Sequence, residues 1–152
     1  MIIPFFAGIF IIALLDQAAK LFAAGLLQSV DTIPLISNVF HLTYVENTGG
    51  GFGVFAEHTW MLTALTLVVI VVAVGYVVFK KPQNAILLTA ITFIIGGAVG
   101  NVIDRIRLGY VIDFFDFTLI NFPVFNVADC FITIGTVILS VYIIFLSGKK
   151  EQ

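Results

Sequence analysis

Apolar residues run almost unbroken through four stretches of the chain, Ile2 to Leu27, Thr59 to Phe79, Ala85 to Ile103 and Phe125 to Leu146. Between them lie two polar stretches, Asp31 to Glu57 and Asp104 to Phe125, and a short turn, Lys80-Lys81-Pro82-Gln83-Asn84. A helix needs about 20 residues to cross a hydrocarbon core. Each apolar stretch is long enough to do so. The pattern predicts an all-α membrane protein: a four-transmembrane-helix bundle, one integral membrane domain over residues 1–152.

Composition agrees, with 61% hydrophobic residues, 11% charged, 16 Phe and a mean hydropathy of +1.15. A net charge of -2, with no basic run longer than Lys80-Lys81 or Lys149-Lys150, leaves no stripe to follow a phosphate backbone. No nucleic-acid partner is expected; membrane lipid or a membrane-embedded substrate is. The single cysteine, Cys130, forms no internal disulfide, and no cofactor is implied. His41 and His58 are too far apart for a helical ligand pair and lack a second ligand at metal spacing, so no metal is expected. No Lys or Arg precedes Lys20, and Asp16 interrupts the first run, so a retained helix is expected rather than a cleaved signal peptide.

The stretch from Asp31 to Glu57 holds a period-2 pattern. Phe40, Leu42 and Tyr44 alternate with His41, Thr43 and Val45, as in a short strand with one apolar face. Asn47-Thr48-Gly49-Gly50-Gly51-Phe52-Gly53 follows, and its glycines allow close backbone approach to a ligand. This small β-containing loop is expected to wall a substrate groove and to offer an unpaired strand edge to an extended peptide. Glu57 and Thr59 are expected to cap the second helix.

Charge gathers elsewhere. Between Gly96 and Asp129 stand four of the nine acids, Asp104, Asp113, Asp116 and Asp129, and two of the seven basic residues. Ionisable groups beside a membrane segment are costly and so point to function. Asp16 and Lys20, four apart with the acid first, suit a same-face ion pair. Either Lys20 snorkels to the interface, or Asp16 faces the bundle interior near a site. Gly96 and Gly100 have the spacing that lets helices pack backbone to backbone. Asn101 and Arg105 then share a face at the end of that helix, where a guanidinium can hold a carboxylate or phosphate bidentately.

Asp113 is surrounded by aromatics, whose burial raises a carboxyl pKa. Asn126 suits an N-cap, making Asp129 the third residue of the fourth helix, an ordinary place for an acid. Two carboxylates in such different settings, brought together, share a proton and act as base and acid on one water. Spacing leaves open whether Asp113, Asp116 or Asp104 partners Asp129. A transporter or proton channel using Asp16, Asp113 and Asp129 is the competing class, but no internal repeat accompanies these acids. An assembly protein held by the glycines would leave the acids unexplained.

Five ordered motifs resolve this by resemblance: Asp16-Gln17-x-x-Lys20, Asn47-Thr48-Gly49, Gly100-Asn101-x-x-Asp104-Arg105, Gly109-x-Val111-x-Asp113-Phe114 and Phe125-Asn126-x-Ala128-Asp129. Over nearly the whole chain they resemble the lipoprotein signal peptidase (signal peptidase II) family. The resemblance implies a bacterial inner-membrane aspartic endopeptidase that acts on lipid-modified prolipoproteins and cuts before the lipidated cysteine. It implies a catalytic pair of Asp113 and Asp129, with Asp16, Lys20, Asn47, Gly49, Asn101, Arg105, Asn126 and Ala128 lining or bracing the site. A monomer is expected. Gly50-Gly51 stand where the family often has alanines, and Cys130 where it often has Ser. A thiol mechanism at Cys130 would need a base, and neither histidine lies in a suitable motif.

Basic pairs at Lys80-Lys81 and Lys149-Lys150 orient the bundle, because cytoplasmic loops carry the excess of Lys and Arg. Both termini are then cytoplasmic, and the two polar stretches face outward. In intact cells an impermeant thiol reagent should label Ser37→Cys and spare Lys81→Cys, both in a Cys130→Ser background; the reverse pattern would invert the orientation.

Overall fold

The structure, a computed structural model, describes residues 2–50 and 58–146. Helix α1 (Ile2–Leu27) is followed by strands β1 (Thr32–Ile36) and β2 (Phe40–Asn47), then helices α2 (Thr59–Lys80) and α3 (Ala85–Leu108). Strand β3 (Val111–Asp116), a 3-10 turn (Thr118–Ile120) and helix α4 (Val127–Val141), prolonged by a π-helical turn (Tyr142–Leu146), complete the order. All four helical segments are long and apolar enough to cross a membrane. The Lys149-Lys150 pair and the stretch from Gly51 to Glu57 lie outside the described residues.

Local chemistry sets the helix ends. The Asn84 side chain accepts from Leu87 N and opens α3, and Gly109, at φ 85°, closes it by returning its N–H to Arg105 O. Asn126 opens α4 with a reciprocal capping box shared with Asp129. For Thr59 the expected cap at α2 is corrected, since the N-cap position falls on His58 and Thr59 Oγ1 donates instead to Thr48 O at 2.6 Å; Glu57 lies outside the described residues. A hydroxyl one residue inside the helix is free to reach back to the loop it follows.

Helix α3 is the central post, buried over 61% of its apolar window against 6% for α2 and for α4. Small residues make this possible. A Cβ on Gly96 would meet the Ile12 side chain at 2.8 Å, and a Cβ on Gly97 or Gly100 would collide with Ala128 O or the Asp16 carboxylate. Glycine on α3 thus brings α1 against one side and α4 against the other, as its spacing predicts. The outer faces of α2 and α4, with Trp60, Val71, Phe79, Val137 and Ile144 exposed, are apolar and suit lipid.

The three strands form one antiparallel sheet in the order β1-β2-β3. Strand β2 therefore has a partner on each side, Thr32↔Thr43 and Val45↔Asp113 among them, which corrects the expectation that its edge is free. Neither β1 nor β3 shows in the hydrophobic pattern. Proline is tolerated on an edge strand such as β1, and β3 is buried on both faces, so neither alternates cleanly. The sheet rests on the end of α1 through a core of Ala23, Leu27, Ile112 and Phe114, with Leu42 and Tyr44 packed against it.

Lys20 is 1% exposed and does not snorkel. Its Nζ reaches Asp16 Oδ2 at 2.8 Å, Asp104 Oδ2 at 2.9 Å and Asn101 Oδ1 at 2.8 Å, tying α1 to α3. The close α3–α4 approach yields a clean test. Gly97→Ala should destabilise the protein by about 1 to 3 kcal/mol, the usual cost of overpacking. Gly25→Ala, with nothing within 4 Å of its Cβ, should gain about 0.5 to 1 kcal/mol of helix propensity. Thermal unfolding in one detergent checks both, and equal effects would contradict the packing account.

Candidate active site

Each of the carboxylates singled out in the sequence finds a distinct environment. Asp116 accepts from Thr43 Oγ1 at 2.8 Å on the sheet, and Asp104 accepts from Lys20, from Gln17 Nε2 at 2.8 Å and from Ile112 N at 3.2 Å. Asp113 and Asp129 instead line one open cavity of about 780 Å³. Its other walls include Asn47, Gly49, Arg105, Phe122 and Ile134.

Three asparagines hold the two acids. Asp113, 1% exposed, accepts from Asn126 Nδ2 at 2.6 Å and from Asn47 Nδ2 at 2.8 Å. Asn47 lies opposite Val111 in the register, so its side chain reaches Asp113 on the cross-strand diagonal. Asp129 accepts from Asn101 Nδ2 at 2.8 Å and from the backbone N–H of Asn126 at 3.2 Å. Asn126 is the hinge of the set. It is fully buried, its Oδ1 accepts from Asp129 N at 2.9 Å, and its Nδ2 also donates to Asn101 Oδ1 at 3.1 Å. Capping α4 and holding both acids are one arrangement, so the helix-start reading of Asp129 and its place in the cavity do not compete.

Burial pushes the Asp113 carboxyl up to about 7. The Asn47 and Asn126 amides and the Lys20 charge oppose this, while the negative charge of Asp129 adds to it. Asp113 therefore holds a proton to much higher pH than an ordinary aspartate.

Behind the acids stands the charged cluster. Lys20 donates to Asn101 Oδ1 and so leaves the Asn101 amide nitrogen to face Asp129. Asp16 accepts from the backbone N–H of Ala128 at 2.8 Å and holds the first turn of α4 against α1. At the cavity rim, Arg105 NH2 donates to Gly49 O at 3.2 Å, and Gly49 N donates to Asn47 Oδ1 at 2.9 Å, an Asx-type turn that starts the glycine loop. The predicted site residues Asp16, Lys20, Asn47, Gly49, Asn101, Arg105, Asn126 and Ala128 thus all join one network with Asp113 and Asp129. Gln17 and Asp104 belong to it as well. Their signal was a polar residue beside Asp16 in an apolar run, and an acid one helical turn beyond Gly100.

Comparison with known proteins places the chain in a family. The family model for signal peptidase (SPase) II matches residues 8–145. The lipoprotein signal peptidase of Clostridioides difficile strain 630 is 44% identical over 137 residues, covering 90% of this chain and 92% of that protein. That of Brevibacillus brevis strain 47 is 45% identical over 143 residues, covering 93% and 95%. A bacterial membrane enzyme solved by the in meso method at 2.3 Å superposes with a TM-score of 0.87 at 25% identity, over 100% of this chain and 94% of that one. The chain belongs to the signal peptidase II family.

Proposed function

We propose that this protein is an aspartic endopeptidase that removes signal peptides from lipid-modified prolipoproteins, cutting just before the lipidated cysteine. It acts as a monomer, a single peptidase domain in the bacterial inner membrane, with both termini cytoplasmic and the cavity toward the extracytoplasmic face. The observation that carries the reading is two carboxylates, Asp113 and Asp129, in unlike settings on the wall of one cavity and joined through Asn126, with Asn47 bracing Asp113 and Asn101 bracing Asp129.

The chemistry follows from the asymmetry. Protonated Asp113 donates to the scissile carbonyl oxygen, while Asp129 serves as the base that accepts a proton from the attacking water. The tetrahedral intermediate collapses as the amine leaves with a proton from the pair. Arg105, anchored to Gly49 O, holds the glycine loop beside the cavity and keeps further donors for the substrate backbone. The apolar wall of Phe122, Phe125 and Ile134 suits the lipid-bearing side of the substrate.

Asp113→Asn and Asp129→Asn should each abolish cleavage of a lipidated precursor peptide by purified, folded protein, because an amide neither takes the water's proton nor supplies one. As the two act as a unit, the double variant should be scarcely worse than either single one. Cys130→Ser and chelator should leave turnover intact. If Asp129 served only to start α4, Asp129→Asn would cost about 1 kcal/mol or less and leave cleavage untouched; that result would overturn the pair.

The pH dependence has a definite sign. With the Asp113 carboxyl held up near 7, kcat/KM should fall as pH rises through that value and the acid is lost. Stability should change in the same window. The folded protein binds this proton more tightly than the unfolded chain does, so Asp113 lowers stability as pH rises from the ordinary aspartate range toward 7. Asp113→Asn should flatten that limb of a melting-temperature profile, and an unchanged slope would contradict the raised pKa.

A further inference from the structure

Helix α2 gives no described residue to the cavity wall, yet its first residue holds the loop that does. Thr59 Oγ1 donates to Thr48 O at 2.6 Å. Thr48 O and Gly49 N–H belong to one planar trans peptide, so they point in opposite directions. Gly49 N donates to Asn47 Oδ1 at 2.9 Å, and Asn47 Nδ2 donates to Asp113 Oδ2 at 2.8 Å. Three bonds thus run in series from the start of α2 to the buried carboxyl.

We propose that Thr59 is a positioning residue of the active site, whose hydroxyl locks the Thr48–Gly49 peptide plane and thereby sets the face that Asn47 turns to Asp113. A lock is needed here. Rotating that plane changes only the Thr48 ψ and Gly49 φ angles, and glycine at 49 offers little steric resistance. Turned over, the plane would set Thr48 O against Asn47 Oδ1, two acceptors with no donor between them, and the Asn47 amide would be released to rotate as well. Arg105 NH2 holds Gly49 O at 3.2 Å, but that carbonyl belongs to the next peptide and leaves the Thr48–Gly49 plane unfixed. Thr59 is itself anchored in the first turn of α2, where its carbonyl accepts from Thr63 Oγ1 at 2.8 Å. Its bond to Thr48 O also polarises the peptide and strengthens donation by Gly49 N–H. A clasp that merely tied two segments together would leave Asp113 unaffected; a lock on this plane reaches it through two further bonds. The charges that face Asp113 are Lys20 of α1, Arg105 of α3 and Asp129 of α4, with Asn126 as its other donor, and a change at 59 leaves these in place. The kinetic consequence rests on the peptidase reading; the consequence for Asp113 itself does not.

Thr59→Val keeps the shape and removes the hydroxyl, Thr59→Ala removes it with less bulk, and Thr59→Ser restores it. Thr66→Val, which loses a hydroxyl bonded to Leu62 O within α2, controls for the helix. In full-length Thr59→Val or Thr59→Ala, kcat for a lipidated precursor peptide should fall about two- to tenfold, the worth of one hydrogen bond, with KM little changed. The Asn47 amide opposes the upward push of burial on Asp113. A released Asn47 should therefore move to higher pH both the fall in kcat/KM and the midpoint of the carboxyl infrared band that Asp113→Asn removes. Thr59→Ser and Thr66→Val should match the parent in each respect. In an Asn47→Ala background, Thr59→Val should add little, since the residue it acts through is gone. An unmoved infrared midpoint in both Thr59→Val and Thr59→Ala would overturn the proposal, whatever happens to rate or melting temperature, and so would a full effect of Thr59→Val in the Asn47→Ala background. The infrared titration uses no substrate. A moved midpoint together with cleavage that survives Asp113→Asn would sustain the hold of Thr59 on Asp113 and overturn the peptidase reading instead.

Discussion

A buried ammonium governs this molecule. Lys20 lies inside a bundle made of apolar helices, and a charge in such a place is tolerated only when every donor has a partner. Asp16, Asp104 and Asn101 supply those partners, and each is committed to a second task. Asp16 holds the start of α4, Asp104 accepts from the backbone N–H of Ile112 at the start of β3, and Asn101 faces Asp129. Loss of the ammonium alone would strand two buried carboxylates at about 3 to 5 kcal/mol, and the polar centre would lose its orientation. The glycines of α3 serve the same end, since only without side chains at 96, 97 and 100 do Asp16 and Ala128 come close enough.

From that centre the site inherits its asymmetry. Asn101, oriented by Lys20, and Asn126, oriented by the helix it caps, present amide nitrogens to Asp129 and Asp113 respectively. The two acids nonetheless differ, because Asp113 is almost fully buried on β3 while Asp129, in the first turn of α4, is partly exposed. Burial favours a proton on Asp113. Two carboxylates in such unlike settings on one cavity wall suit the peptide hydrolysis proposed above. Family membership points the same way and removes the transport reading.

The helices were legible because apolar runs of membrane length carry an unmistakable signal, and α1, α2 and α3 begin where their runs begin. Same-face spacing likewise foretold the Asp16–Lys20 contact and the joint approach of Asn101 and Arg105 to the site. Strands β1 and β3 were hidden, since an edge strand with a proline and a strand buried on both faces lack the period-2 pattern that revealed β2. Their absence from the pattern is also why β2 was expected to offer a free edge. Spacing alone did not choose between Asp104, Asp113 and Asp116. The choice depends on which acid is spoken for, by Lys20 in one case and Thr43 in another, and such long-range pairings leave no periodic trace. Family motifs supplied what periodicity lacked.

At the heart of the proposed mechanism is an Asp113 carboxyl that burial pushes up to about 7. Infrared difference spectroscopy on protein in lipid, titrated from acid to alkaline pH, observes the carbonyl stretch of a protonated carboxyl. The account predicts a band that persists to about pH 7, vanishes in Asp113→Asn and shifts in frequency and midpoint in Asp129→Asn. A spectrum in which that band is already gone well into the ordinary aspartate range, or is untouched by either substitution, would contradict it.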